Sequence, residues 1–311
     1  MTARSSLLSA FDKTSRVFIK VGANRIPGVK ALYRFFTELL WLWPTKSIVH
    51  IEGSKMYLNP RVKGPMRAAF RGFIRSHGKE KLTTSLFRQA VKEGQTVVDI
   101  GANIGYFTLL AARLVGPTGT VYAFEPEPHN YEVLLKNLSL NGYDNVVPVQ
   151  KAVFNVSGTV KLYLSHTDIG AHTLREKHDH WQFDTKQSGD FVEVEAVTLD
   201  EFFKDKGHPI DVIKMDCEGS EMAVVLGMDR IIRNNPGLKM FIEFYPSAIE
   251  EMGFSPREFV SKLVNDYGFA VTAIDELRSL ENRVLKINDI DELMKLCQEK
   301  EKIVNLFLER R

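Results

Sequence analysis

The stretch Thr96-Val97-Val98-Asp99-Ile100-Gly101-Ala102-Asn103-Ile104-Gly105-Tyr106-Phe107-Thr108 constrains this chain more than any other. A β-branched run ends in an acid and then a glycine turn. A second glycine, four residues on, opens an apolar segment that reaches Val115. A short apolar run bounded in this way reads as a parallel strand buried on both faces, feeding a helix N-terminus. Gly101 and Gly105 let a ligand approach the backbone where a Cβ would obstruct it. Thr120-Val121-Tyr122-Ala123-Phe124-Glu125-Pro126 then supplies a second strand that also ends in an acid. An acid in that place suits the two hydroxyls of a ribose. The two segments together predict a Rossmann-like nucleoside-binding half.

The kind of nucleoside follows from the loop. The dinucleotide fingerprint G-x-G-x-x-G uses three glycines so that a helix N-terminus can hold a pyrophosphate. Here the pattern is Asp99-x-Gly101-x-x-x-Gly105, with Asn103 where that fingerprint has its second glycine. S-adenosylmethionine carries no phosphate, and its amino-acid end has an ammonium that Asp99 can hold directly or through water. The loop with Glu125 behind it therefore favours S-adenosylmethionine over NAD. The plainer alternative is an α/β turn that binds nothing.

Length and composition bound the rest. A chain of 311 residues suits one large domain with additions, or two small ones. With 44% hydrophobic and 26% charged residues, a sizeable core is expected rather than disorder. A net charge of +2 argues against a dedicated nucleic-acid binder, whose footprint is a strong basic excess. Two cysteines, Cys217 and Cys297, exclude a disulfide scaffold and fit a reducing, cytoplasmic setting. No Cys/His cluster has zinc spacing. The first thirty residues hold scattered Arg and Lys without an apolar core, so no secretory signal is expected. The segment from Ala31 to Trp43 is apolar, but it is too short to span a bilayer and contains Arg34 and Glu38. It fits either an interfacial helix making peripheral membrane contact or a helix packed on the catalytic domain.

Along the chain, residues 1 to about 45 read as helical. A hairpin is expected from Ile48 to Leu58, turned at Glu52-Gly53-Ser54, and helices over 64–93. Strands at Thr96–Ile100, Thr120–Phe124 and Val146–Val149 alternate with helices at Ile104–Val115 and His129–Asn141. The alternation breaks at Ser157-Gly158. Antiparallel strands at Thr159–Leu164 and Phe191–Val197 flank a polar, histidine-containing loop from Ser165 to Gly189, long enough to suggest a functional role. Alternation resumes with strand Ile210–Asp216, helix Ser220–Asn234 and strand Met240–Phe244. Helix Pro256–Tyr267, strand Phe269–Ile274, helix Ile290–Glu299 and strand Lys302–Leu308 follow. The expected division is an amino-terminal helical and hairpin extension over 1–79 and a catalytic domain over 80–311.

This order of motifs resembles the FkbM family of S-adenosylmethionine-dependent methyltransferases. The matching parts are Val98 to Tyr106, Phe124-Glu125-Pro126, Ile213-Lys214-Met215-Asp216-Cys217-Glu218-Gly219-Ser220-Glu221 and Ile242-Glu243. The match begins near Glu80. The resemblance implies an α/β, Rossmann-like class I methyltransferase: a doubly wound, seven-stranded, mostly parallel sheet. It also implies O-methylation of a hydroxyl on a small molecule, sugar or glycolipid. By carry-over, Asp99, Gly101, Ala102, Asn103 and Gly105 surround the methionine end of the cofactor, and Glu125-Pro126 holds the ribose. Lys151-Ala152 lies near the adenine. The same carry-over places Glu80, Phe107, Thr108 and Asp216 among the cofactor-binding residues. No acid follows the third strand, so Asn155 or a backbone carbonyl is the candidate partner for the adenine amino group.

Methyl transfer from a sulfonium needs an acceptor hydroxyl that is positioned and deprotonated. Ligands of open α/β sheets sit at the carboxyl ends of the strands. Asp216, Glu218 and Glu243 fall there, with Lys214 one pleat earlier. Asp216 and Glu218 are two residues apart and can point into one crevice. Close carboxylates can raise one pKa to yield a base, or they can bind a divalent ion, and the sequence leaves both open. Glu218 can instead cap the following helix, and Lys214 can be an internal ion-pair partner. His172, in the long insertion, is a further candidate base. His166, His178 and His180 read as solvated loop residues. Two rival functions fit the same motifs: a non-catalytic protein that keeps the cofactor pocket, and a methyltransferase acting on protein or nucleic acid. The acidic Asp216-Cys217-Glu218-Gly219 segment would repel phosphates, so no nucleic-acid partner is expected.

Overall fold

The computed structural model describes residues 48–57, 80–165, 170–175, 190–207, 209–276, 283–298 and 303–310. These belong to a compact unit spanning Ile48–Arg311. The apolar segment 31–43, the helices expected before residue 80, and His166, His178 and His180 lie outside the described residues. No described helix is long and apolar enough to cross a membrane.

Five strands form the parallel part of the central sheet: β3 (Thr96–Ile100), β4 (Thr120–Phe124), β5 (Val146–Val149), β9 (Val212–Met215) and β10 (Lys239–Phe244). Beyond β10 come β13 (Val304–Arg310), β11 (Phe269–Asp275) and β12 (Arg283–Ile287), each antiparallel to its neighbour. The order is β12-β11-β13-β10-β9-β3-β4-β5. The expected seven strands are present, and β12 adds an eighth along the edge. Its first two positions are exposed and charge is interspersed in it, so no buried face announced it. Strand order reverses at β3, which lies between β4 and β9. The carboxyl ends of β3 and β9 open the crevice at that switch point.

Residues on opposite faces of the parallel strands feed two cores. Val98, Ile100, Ile213 and Met215 join one, while Val97, Val212 and Phe241 join the other. Helices α1 (Lys81–Ala90), α2 (Tyr106–Val115) and α3 (Pro128–Asn141) cover the second core with Phe87, Leu110 and Leu134. Burying a side chain of this size contributes about 1.5–3 kcal/mol. The hairpin β1 (Ile48–Ile51) and β2 (Ser54–Tyr57) also belongs to that core through Ile51 and Met56. It is turned by Glu52 and Gly53 alone, both with positive φ (51° and 85°), as a two-residue type I′ turn demands. Two amides one turn apart on α3 hold its free edge. Asn137 and Asn141 Oδ1 accept the N–H groups of Tyr57 and Lys55 at 2.6 and 2.7 Å.

A smaller sheet stands beside the large one. Its strands β6 (Ala152–Val153), β8 (Phe191–Val197) and β7 (Gly158–Tyr163) lie in that order, with β6 parallel and β7 antiparallel to β8. A short helix α4 (Leu199–Phe202) follows β8. The helix expected over Ser220–Asn234 is two helices, α5 (Glu221–Leu226) and α6 (Asp229–Asn234). The break has a visible cause. The Asp200 carboxylate of α4 accepts the Arg230 and Ile231 N–H groups at 2.9 Å each, capping a fresh N-terminus. Helix α7 (Pro246–Glu251) follows β10, and α8 (Pro256–Ser261) widens into a π turn over Lys262–Asp266. That turn brings the Tyr267 hydroxyl to 2.8 Å from Asp229 Oδ1. Helix α9 (Ile290–Gln298) precedes β13.

Candidate active site

A cleft of about 550 Å³, counting the solvent at its mouth, lies at the carboxyl ends of β3, β4 and β9. Its floor is the loop after β3. Gly101 has φ +77°, and a Cβ there would lie 1.9 Å from the Asp216 carbonyl oxygen, so any side chain would force the two strand ends apart. Asn103 takes φ +50° without being glycine. Its Oδ1 accepts the Ile104 N–H at 2.7 Å, a local bond that suits asparagine to this conformation. Its own N–H donates to Glu125 Oε2 at 2.7 Å, while Oε1 accepts the Glu127 N–H at 2.8 Å. The Glu125 carboxyl is thus held by two backbone donors at the end of β4. Burial pushes its pKa up to about 8 against the pull of those donors.

Of the residues expected to bind the nucleoside, Gly101, Asn103, Glu125, Pro126, Lys151, Ala152 and Asp216 line this cleft. Asp99, Ala102, Gly105, Phe107, Thr108 and Glu80 stand outside its wall. Strand β3 is buried along its whole length, and this turns Asp99 inward. Its Oδ2 accepts the Thr108 hydroxyl at 2.5 Å, and burial raises its pKa to about 6. Ala102 and Phe107 are core residues, and Thr108 is the buried donor to Asp99. Gly105 is the N-cap of α2, packed under Leu134. Glu80 caps α1 without a side-chain capping bond. Burial lifts its pKa to about 7, and the Lys214 charge opposes that rise. Asn130, which sequence reasoning did not single out, also lines the cleft from α3 and is buried. Asn155 is not part of this wall. The signal for Asn130 was available: it lies one helical turn past the acid-proline end of β4.

The acid side of the cleft forms from the turn after β9 and the end of β10. Carboxylate oxygens of Asp216, Glu218 and Glu243 lie within 4.8 Å of one another. Asp216 and Glu218 line the cleft; Glu243 is not part of its wall. Strand pleating does not bring the first two together. The chain leaves β9 at Asp216, and Glu218 takes φ +52° in a turn. The helix that follows opens at Ser220 with no side-chain capping bond, and the carboxylate that ties the turn is that of Glu221. Its Oε1 accepts the Cys217 and Gly219 N–H groups at 2.9 and 3.3 Å, and burial pushes its pKa to about 7. Glu243 is pushed well above the usual carboxylate range, first by burial and then by the charges of Asp216, Glu218 and Glu221. Burial likewise holds the Cys217 thiol well above its ordinary value. Among the described residues, buried oxygens of Glu221, Glu243, Ser220 and Ser247 have no hydrogen-bond partner. Such atoms are costly unless paired, and all four sit around the ends of β9 and β10.

Lys214 is 1% exposed, with Nζ 3.3 Å from Asp216 Oδ2 and 5.0 Å from the centre of the Phe107 ring. Burial alone would lower its pKa. The carboxyls of Asp216, Glu80, Glu243 and Asp99 outweigh that and hold it above its ordinary value. It is a permanent cation, and it contributes charge rather than a proton-accepting lone pair. His172 lines the cleft from the insertion. Its Nδ1 accepts the Ser165 N–H at 3.0 Å, so the neutral ring carries its proton on Nε2.

A glycine loop at the switch point, an acid on the second strand and an acidic turn on the fourth define a Rossmann-like methyltransferase. The family model "Methyltransferase FkbM domain" matches residues 99–280, and the chain belongs to that family of S-adenosylmethionine-dependent methyltransferases. Methyltransferase sdnD of Sordaria araneosa is 30% identical over 203 residues, 57% of this chain and 74% of its own length. Methyltransferase 1 of Beauveria bassiana (strain ARSEF 2860) is 28% identical over 145 residues, 43% of this chain and 58% of its own. The 31-O-demethyl-FK506 methyltransferase FkbM of Streptomyces tacrolimicus is 29% identical over 161 residues, 45% of this chain and 61% of its own.

Proposed function

We propose that this protein transfers the methyl group of S-adenosylmethionine to a hydroxyl of a small molecule, sugar or glycolipid. The carrying observation is the cluster of Asp216, Glu218 and Glu243, two of whose members open into the cleft that also holds Gly101 and Glu125. The loop suits the cofactor, with backbone exposed at Gly101 and a fixed carboxylate at Glu125 for two ribose hydroxyls. The Lys151-Ala152 edge is the candidate adenine side. Bound there, the cofactor would supply an activated methyl group, and this chain's residues would have to orient the acceptor oxygen and take its proton.

Asp216, paired with Lys214, orients the acceptor. Glu218 takes the hydroxyl proton. Glu243 completes the cluster, within 4.8 Å of both other carboxylates. His172 Nε2–H donates to another acceptor oxygen. The Streptomyces relative is a 31-O-demethyl-FK506 methyltransferase, named for a demethylated oxygen, which agrees with an oxygen acceptor here. The same three carboxylates are spaced to hold a divalent ion, which would lower the hydroxyl pKa in place of a bare base.

The test is release of S-adenosylhomocysteine across a panel of hydroxylated acceptors, with and without chelator. Activity lost to chelator and restored by Mg²⁺ or Mn²⁺ assigns the metal-assisted form; indifference to chelator assigns the bare carboxylate. Release from a protein or nucleic-acid acceptor, and from none of the panel, overturns the proposal.

A further inference from the structure

The insertion after β7 returns to the acidic turn at a place that no motif marks. Thr173 pairs with Tyr163 at the end of β7 in a single antiparallel bridge. Its side chain lines the cleft beside the acidic turn, and Oγ1 donates to the Glu218 carbonyl oxygen at 2.9 Å. The same hydroxyl accepts from Arg175, from the backbone N–H at 3.2 Å and from Nε at 3.3 Å. Arg175 is 3% exposed and its far end pairs with Glu251 of α7. A Cβ on Gly219 would lie 3.1 Å from Arg175 Nε and 2.8 Å from the Ala248 Cβ, so the arginine packs on the turn itself. A buried arginine is costly unless its donors are satisfied. Here they are spent on the strap hydroxyl and on α7.

Glu218 sits at φ +52°, which costs a non-glycine residue free energy and persists only where the surroundings hold it. We propose that Thr173 and Arg175 are positioning residues for the Glu218 carboxylate. They tie the cleft's outer wall, the acidic turn and α7 into one unit. This rests on the reading of Glu218 as proton acceptor. The strap also carries His172, so the wall that meets the acceptor and the turn that deprotonates it share one register.

Thr173→Val keeps the shape and removes the hydroxyl, and Thr173→Ser restores it. In the full chain saturated with S-adenosylhomocysteine, hydrogen exchange of the Cys217–Glu221 amides should quicken by at least about 3-fold in Thr173→Val, the effect of losing the one bond to the Glu218 carbonyl. Amides of β3 and the affinity for S-adenosylhomocysteine should stay at wild-type values, and Thr173→Ser should return the turn to wild type. Arg175→Met should loosen the turn further, but it leaves Glu251 unpaired and can disturb the whole wall, so Thr173→Val decides. Unchanged exchange in Thr173→Val, or equal acceleration throughout the sheet, overturns the proposal, and neither result needs an acceptor. With an acceptor in hand, a loosened turn at full turnover also overturns it. Full activity in Glu218→Gln would instead overturn the reading of Glu218 as proton acceptor.

Discussion

The two halves of the cleft are built in opposite ways. The half proposed for the nucleoside draws most of its wall from one stretch of chain, Gly101 to Asn130, in which residues of the stretch bond to one another: Asn103 to Ile104, Asn103 to Glu125, Glu125 to Glu127. The acceptor half is assembled from segments far apart. Thr173 reaches Glu218 across 45 positions, and Arg175 reaches Glu251 across 76. A local site depends on backbone conformation and survives changes elsewhere. A long-range site depends on every connection that holds it, and it can diverge from one acceptor to another while the nucleoside half stays the same.

The comparison breaks most sharply at Glu218. If the halves are separable, Glu218→Gln should lower methyl transfer by about two to four orders of magnitude, the usual cost of losing a general base. Its affinity for S-adenosylhomocysteine and its melting temperature should match wild type, since the side-chain bonds that tie the turn belong to Glu221. A variant that melts early yet retains its activity per folded molecule would make Glu218 structural and join the two halves into one.

The converse substitution is Glu125→Ala. Removing a carboxylate that hydrogen-bonds the ribose should weaken S-adenosylhomocysteine binding by about 1.5–3 kcal/mol, read by calorimetry. At saturating cofactor the turnover should recover, because the acid cluster is untouched. Unchanged affinity would remove Glu125 from the nucleoside half.

The same contrast explains what could be read in the sequence. Gly101, Asn103 and Glu125 were legible as places because glycine, asparagine and an acid at strand ends form a local pattern, although the Asp216 carbonyl that requires a glycine at Gly101 is far off in the chain. Asp99 was recognised for its place in the motif but not for its orientation. The motif shows an acid at a strand end, whereas the Thr108 hydroxyl that draws it inward acts through packing. The acid cluster was legible as three residues near strand ends. Its assembly through the φ of Glu218 was not, since glutamate gives no local signal for that conformation. The break between α5 and α6 was hidden because its cause, Asp200, lies in another helix. Thr173 and Arg175 looked like polar insertion residues, and nothing within a few positions of them names Glu218 or Glu251.

The smallest expected effect concerns the charge buried under both halves. Glu80, Asp99, Glu125 and Glu221 have pKa values raised to about 7, 6, 8 and 7, in each case chiefly by burial. Each binds its proton more tightly in the folded chain than in the unfolded one. Between about pH 4.5 and pH 8 the folded state therefore carries more protons, and stability falls as pH rises. The ligand-free protein should melt lower at pH 8 than at pH 5.5, by about 2–4 °C for each kcal/mol involved in a domain of this size. Glu195 and Asp229, whose pKa values are lowered by Lys151 and Arg233, change charge below this window and do not offset the slope. Glu125→Gln should flatten its upper part, near pH 7–8, because that is where the highest of the four raised groups titrates. A melting temperature that climbs from pH 5.5 to pH 8 would mean that these carboxyls are ionised and paired in the folded chain. The nucleoside half would then be electrostatically satisfied before any ligand arrives.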